Sequence, residues 1–161
     1  MKKLLFMLLI TLATTQNAKC QEVYKEILRL STNVANDKSK GLQNRKIATF
    51  KVDALNYMAM KMNEVMPDST VRTLDVEAYA LYDFVNLYIN KISEAKTKKA
   101  KADIIGLFKS ASLQNPRFND MDLDLVEAYI KNEGYLTKFS LDTNWSKALE
   151  QARTELRKRG L

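Results

Sequence analysis

Residues 74–92, LDVEAYALYDFVNLYINKI, decide the fold. Leu74, Ala78, Leu81, Val85, Tyr88 and Ile92 recur at alternating steps of four and three, while Asp75, Asp83, Asn86 and Asn90 gather on the opposite side. At about 100° per residue this is one apolar stripe of an α-helix. Phe84, Tyr82 and Ile89 widen the stripe beyond a coiled-coil seam, which predicts a helix covered by several neighbours and central to a bundle.

Toward the C-terminus the polar segment SEAKTKKAKA breaks the pattern, and the helical beat returns in Ile104, Leu107, Phe108 and Ala111. The spacing predicts a bend and a fourth helix over 98–113; a single bent helix from Leu74 onward is the competing reading. Gly106 weakens its middle, since glycine costs about 1 kcal/mol against alanine inside a helix. After Asn115-Pro116, a short fifth helix over 122–132 turns Val126, Tyr129 and Ile130 inward and ends at Gly134. A final helix, capped by Asp142 or Thr143, places Trp145, Leu149, Ala152 and Leu156 on its apolar face.

Toward the N-terminus, Pro67 stops a second helix over 44–66 because proline disfavours helical backbone in the residue before it. That helix carries Ile47, Ala54, Leu55, Met58, Met62 and Val65 on one side, with Thr49, Asp53, Asn56 and Glu64 on the other. Thr73 is placed to cap the central helix. A first helix over 21–36 shows Val23, Ile27, Leu30 and Val34 on one face. Two-residue alternation, the strand signature, is confined to FSL around Phe139. No internal repeat or low-complexity linker divides the chain. The fold class read from these patterns is all-α: a single-domain bundle of five or six helices.

The first twenty residues, MKKLLFMLLITLATTQNAKC, join a basic start at Lys2 and Lys3 to an apolar run and a polar tail that ends in small residues. This is the layout of a cleaved signal peptide, and the run is too short to span a bilayer about 30 Å thick. Residues 1–20 are therefore expected to leave and 21–161 to form the domain, exported to the periplasm or beyond the cell. In the competing reading Cys20 is lipidated and anchors the chain, although Lys19 fits that pattern poorly. Without Cys20 the domain has no cysteine, hence no disulfide and no thiolate metal site.

The whole chain carries +7, from 26 basic and 19 acidic residues. Removal of Lys2, Lys3 and Lys19 takes this to +4, well short of a nucleic-acid footprint. Two basic runs remain, Lys96, Lys98, Lys99 and Lys101, then Arg153, Arg157, Lys158 and Arg159. They read as solvated helix faces, with weak attraction to an anionic surface as the functional alternative.

The chain contains no histidine. That removes the commonest general base, the usual partner of a serine or cysteine nucleophile, and the commonest zinc or copper ligand. Its four glycines are isolated, so there is no Gly-rich phosphate cradle. Met58, Met60 and Met62 alternate as copper(I) thioether ligands do, but on a helix Met60 points about 200° from Met58, and a core stripe is the better account. The run Asn119-Asp120-Met121-Asp122-Leu123-Asp124 hints at a calcium loop, yet Leu125 and Lys131 stand where an EF-hand needs glycine and glutamate. Asp120 and Asp122 then serve as N-terminal anions of the fifth helix.

Carboxylate catalysis needs two acids on facing elements, and Glu77 and Glu127, each flanked by core residues, are the candidates for a glycan hydrolase. The plainer account pairs each with a lysine or arginine at the rim. Tyr24, Tyr79, Tyr135 and Trp145 are candidate aromatic contacts, or simply core and rim residues.

The export signal, the cysteine-free domain and the stretches ASLQNPRFND and FSLDTNW resemble the small exported helical proteins of Gram-negative bacteria. The resemblance is one of layout and brings no catalytic residue with it. The function expected is that of a non-catalytic binding or structural module of the cell envelope, partnered by another envelope protein, with no cofactor and no nucleic acid. A carboxylate-based glycan hydrolase is the alternative, and a Met-rich copper(I) carrier the weaker third.

Overall fold

The computed structural model describes residues 22–67, 71–120, 123–131 and 136–161. The leader over 1–20, Cys20 and the terminator Gly134 lie outside the described residues. Among the described residues six helices follow in order: α1 Glu22–Asn36, α2 Leu42–Val65, α3 Val71–Glu94, α4 Lys98–Leu113, α5 Leu123–Lys131 and α6 Trp145–Lys158. Among the described residues there is no strand.

The helix read as central is central. α3 packs against α1, α2, α4 and α6, and Ala78, Leu81, Phe84, Val85 and Tyr88 are buried along it. The bend at 95–97 is real: Thr97 accepts from the Ala100 N–H at 3.1 Å, so α4 starts anew with its own cap. α3 begins at Val71, ahead of Thr73, so Thr73 lies inside the helix rather than capping it.

One aromatic lattice fills the core. Phe139, from the segment between α5 and α6, sits edge-on to Phe50 of α2 and to Phe84 and Tyr88 of α3, with centroids 5.7, 5.1 and 5.0 Å away. Trp145 meets Phe50 and Phe84 from the other side. Edge-to-face pairs of this kind add about 0.5–1.5 kcal/mol each beyond their buried area. The brief alternation at FSL is thus an extended plug that drives one ring into the core.

Three helix faces differ from the sequence reading. α1 buries Ile27 and Ser31 and packs Tyr24 and Leu28 on the core, while Val23 and Leu30 are exposed. Helical spacing fixes a stripe but not which flank of it the neighbours cover, and both α2 and α3 approach α1 from the Ser31 side. Val65, read as part of the inner stripe of α2, is exposed. Asp75, read as solvent-facing, is buried: its Oδ1 accepts the Tyr24 N–H at 2.9 Å, one of the first N–H groups of α1 that have no partner inside their own helix.

Candidate functional site

The two motif-like stretches dock on each other. Asp142 is buried and gathers three backbone N–H groups from 111–120: Oδ1 accepts from Arg117 and Phe118 at 2.9 and 2.8 Å, and Oδ2 from Asp120 at 2.9 Å. Asn119 turns the chain there with φ at 51°, a left-handed conformation asparagine tolerates better than other side chains. Ser112 and Thr143 share a hydrogen bond of 2.8 Å, Ser140 N–H donates to Ser112 Oγ at 2.9 Å, and Asn144 N–H donates to the Asn115 carbonyl at 2.8 Å. The cap of α6 is Asn144, whose side chain accepts from the Lys147 N–H at 3.1 Å. Asp142 and Thr143, expected in that role, hold the loop instead.

Glu77 anchors the same assembly from α3. It is 4% exposed, and its Oε2 accepts the Trp145 N–H at 2.8 Å at the first residue of α6. Oε1 accepts from Ser146 Oγ at 2.8 Å and pairs with Arg117 Nη1 at 3.0 Å. Both oxygens are thus engaged by the protein's own donors, the arrangement of a structural anchor. The backbone of Glu127 lies in α5, and its side chain is outside the described residues.

Beside this polar knot lies an open cleft of about 580 Å³, walled by α2, α5 and the 139–145 segment. α2 contributes Asp53, Asn56, Tyr57 and Met60, at i, i+3, i+4 and i+7, a stripe nearly opposite its core-facing one. α2 therefore has two working faces, which is why its sequence lacks a clean polar side. Ala128 and Tyr129 of α5 and Leu141 complete the wall. The Tyr129 hydroxyl donates to Asp53 Oδ2, and Tyr57 donates to Asp120 Oδ2 at 2.8 Å, where Lys61 also pairs at 3.1 Å. Exposed Asn56 and 44%-exposed Met60 stand at the mouth.

The methionines separate as the helical spacing predicts. Met58 and Met62 are buried in the core, and Met60 points the other way into the cleft. One accessible thioether is not a copper(I) site. Among the described residues no group of three or more histidine, cysteine, aspartate or glutamate side chains is placed to hold a metal ion. The cleft thus offers amide, phenol, thioether and methyl groups around one tyrosine-bound carboxylate.

The C-terminal basic run is partly matched by acids: Arg153 pairs with Asp83 and Lys158 with Glu155. Among the described residues no helix is long and apolar enough to cross a membrane. Sequence reading missed this cleft because Tyr57 and Tyr129 look like ordinary core residues; the signal available was the second stripe on α2. No protein family, curated protein or solved structure matches the chain.

Proposed function

We propose that this protein is an exported, non-catalytic binding module of the cell envelope, and that it receives a segment of another envelope protein in the cleft between α2 and α5. One observation supports this most: Glu77, Asp120 and Asp142 are all engaged in holding the loops, while the cleft they brace stays open with Asn56 and Met60 at its mouth. A mostly apolar hollow with a few convergent polar groups is what a docking side chain requires.

The test is retention of a partner from an envelope extract by the tagged protein in high salt, compared with a double variant, Asn56→Arg with Met60→Lys. Both positions are exposed on a helix, so the melting temperature is expected to stay within about 2 °C of the parent. Partner retention is expected to fall at least tenfold. Equal retention by the variant would place the docking face elsewhere, and turnover of a cell-wall glycan lost in Glu127→Gln with the melting temperature unchanged would replace the proposal with the hydrolase reading.

A further inference from the structure

A second hollow, of about 290 Å³, lies between α1, α2 and α3, and Lys51 is at its floor. Lys51 is only 9% exposed. Its ammonium donates to Asn86 Oδ1 at 3.1 Å and sits 4.4 Å from the centre of the Tyr82 ring, a cation–π contact. Among the described residues no carboxylate pairs with it. A lysine has three donors, so Asn86 leaves two N–H groups without a strong acceptor. A buried charge without a counter-ion is expensive, and proteins ordinarily pair it. Burial pushes the Lys51 amine down to about 8, in line with that missing partner.

The walls are of a different kind. Leu30 and Val34 of α1, Ile47 of α2 and Ile89 of α3 line most of the hollow with methyl groups, and Ser31 and Asn44 are the polar residues among them. Leu30, on the stripe read as core, is 46% exposed and faces this hollow instead. Among the described residues, the sequence thus leaves Leu30 exposed beside partly buried Val34, Ile47 and Ile89, around a cation that no acid pairs with.

We propose that this hollow binds a medium-chain fatty carboxylate, its head group on Lys51 and its hydrocarbon tail along Leu30, Val34, Ile47 and Ile89. The charge selects an anion. The methyl groups favour hydrocarbon, because along Leu30, Val34, Ile47 and Ile89 a peptide tail would leave most of its amide groups unpaired, with only Ser31 and Asn44 to meet them. The volume, at the lower end of small-molecule sites, selects a short ligand. This site is separate from the α2–α5 cleft and does not depend on the function proposed for it.

The experiment is isothermal titration of the purified protein with octanoate, with 1-octanol and acetate as comparison ligands, repeated on two variants. Octanoate is expected to saturate one site, with octanol and acetate at least tenfold weaker because each lacks one half of the match. Lys51→Met removes the cation and keeps the length of the side chain; octanoate affinity is expected to drop to that of octanol. Leu30→Trp fills the mouth from an exposed position and leaves the cation in place; it is expected to weaken octanoate and octanol together. Absence of saturable octanoate binding to the parent protein overturns the proposal. So does binding that both variants leave unchanged, or octanol binding as tightly as octanoate.

Discussion

At the scale of the residue, Glu77 has the most to lose. Glu77→Gln keeps the shape but removes the charge opposite Arg117 and puts an NH2 group where one oxygen now meets a donor. Breaking a buried pair by changing one partner costs several kcal/mol, so a loss of about 3 kcal/mol is expected, roughly 10 °C in the melting temperature of a domain this size. Calorimetry of the variant checks this; an unchanged transition would mean that the carboxylate does not anchor α6. Glu77 was legible in the sequence as an acid among apolar neighbours, but its partners were not. Trp145, Ser146 and Arg117 lie 40 to 69 residues away along the chain, and no local pattern encodes which remote N–H groups a carboxylate will meet. Lys51 was still less visible: its burial follows from Tyr82 and Asn86 of α3 closing over it, whereas a lysine in a helix reads as solvated. Met60, by contrast, followed from spacing alone.

At the scale of the element, agreement is best where one helix decides its own fate. α4 runs Lys98–Leu113 as its beat and its polar entry imply, and Pro67 ends α2 where proline must. Gly106 is a weakness of α4 with no compensating role: it is exposed, it has an ordinary helical backbone, and a Cβ added there meets nothing within 4 Å. Gly106→Ala is therefore expected to stabilise the fold by about 0.5–1 kcal/mol. Thermal melts should show a rise of roughly 2–4 °C, and a fall would show that the backbone at 106 needs freedom that alanine denies. The segments 111–120 and 139–145 were legible as a break at Asn115-Pro116, an anion at Asp120 and a helix cap at Asp142 or Thr143, but not as partners. They fold by hydrogen bonds to each other rather than by periodicity, and Asp142 as their organiser depends on N–H groups that only the tertiary fold brings together.

At the scale of the whole molecule, a single hydrophobic core takes residues from each of the six described helices and from the Phe139 plug, so one cooperative unfolding transition is expected. Two buried groups of opposite sense contribute to its pH dependence in the alkaline range. The Lys51 amine titrates at about 8 in the folded chain against 10.5 ordinarily. Between those values the unfolded chain holds the extra proton, so stability rises with pH there. Burial pushes the Tyr88 hydroxyl, which donates to the Leu136 carbonyl at 2.9 Å, up to about 12 from 10.0. Between those values the folded chain holds the extra proton, and stability falls as pH rises. Denaturant melts are thus expected to show a gain from pH 8 toward 10 and a loss above it, each at most on the order of 3 kcal/mol. Lys51→Met should flatten the rising limb and Tyr88→Phe soften the falling one; a rising limb that survives Lys51→Met assigns it to another group. The anchors on the first turns of α3 act at this scale as well. Asp75 holds the start of α1 and Glu77 the start of α6, so the first and the last of the described helices are indexed to the same turn. A chain emerging N-terminus first therefore has half of that turn satisfied early, while Glu77 waits for residues some seventy positions behind it. Completion of the fold is in this sense a matter of timing: the structure locks when its last helix arrives, and a chain cut short before Trp145 keeps an acid in its interior with no helix to hold.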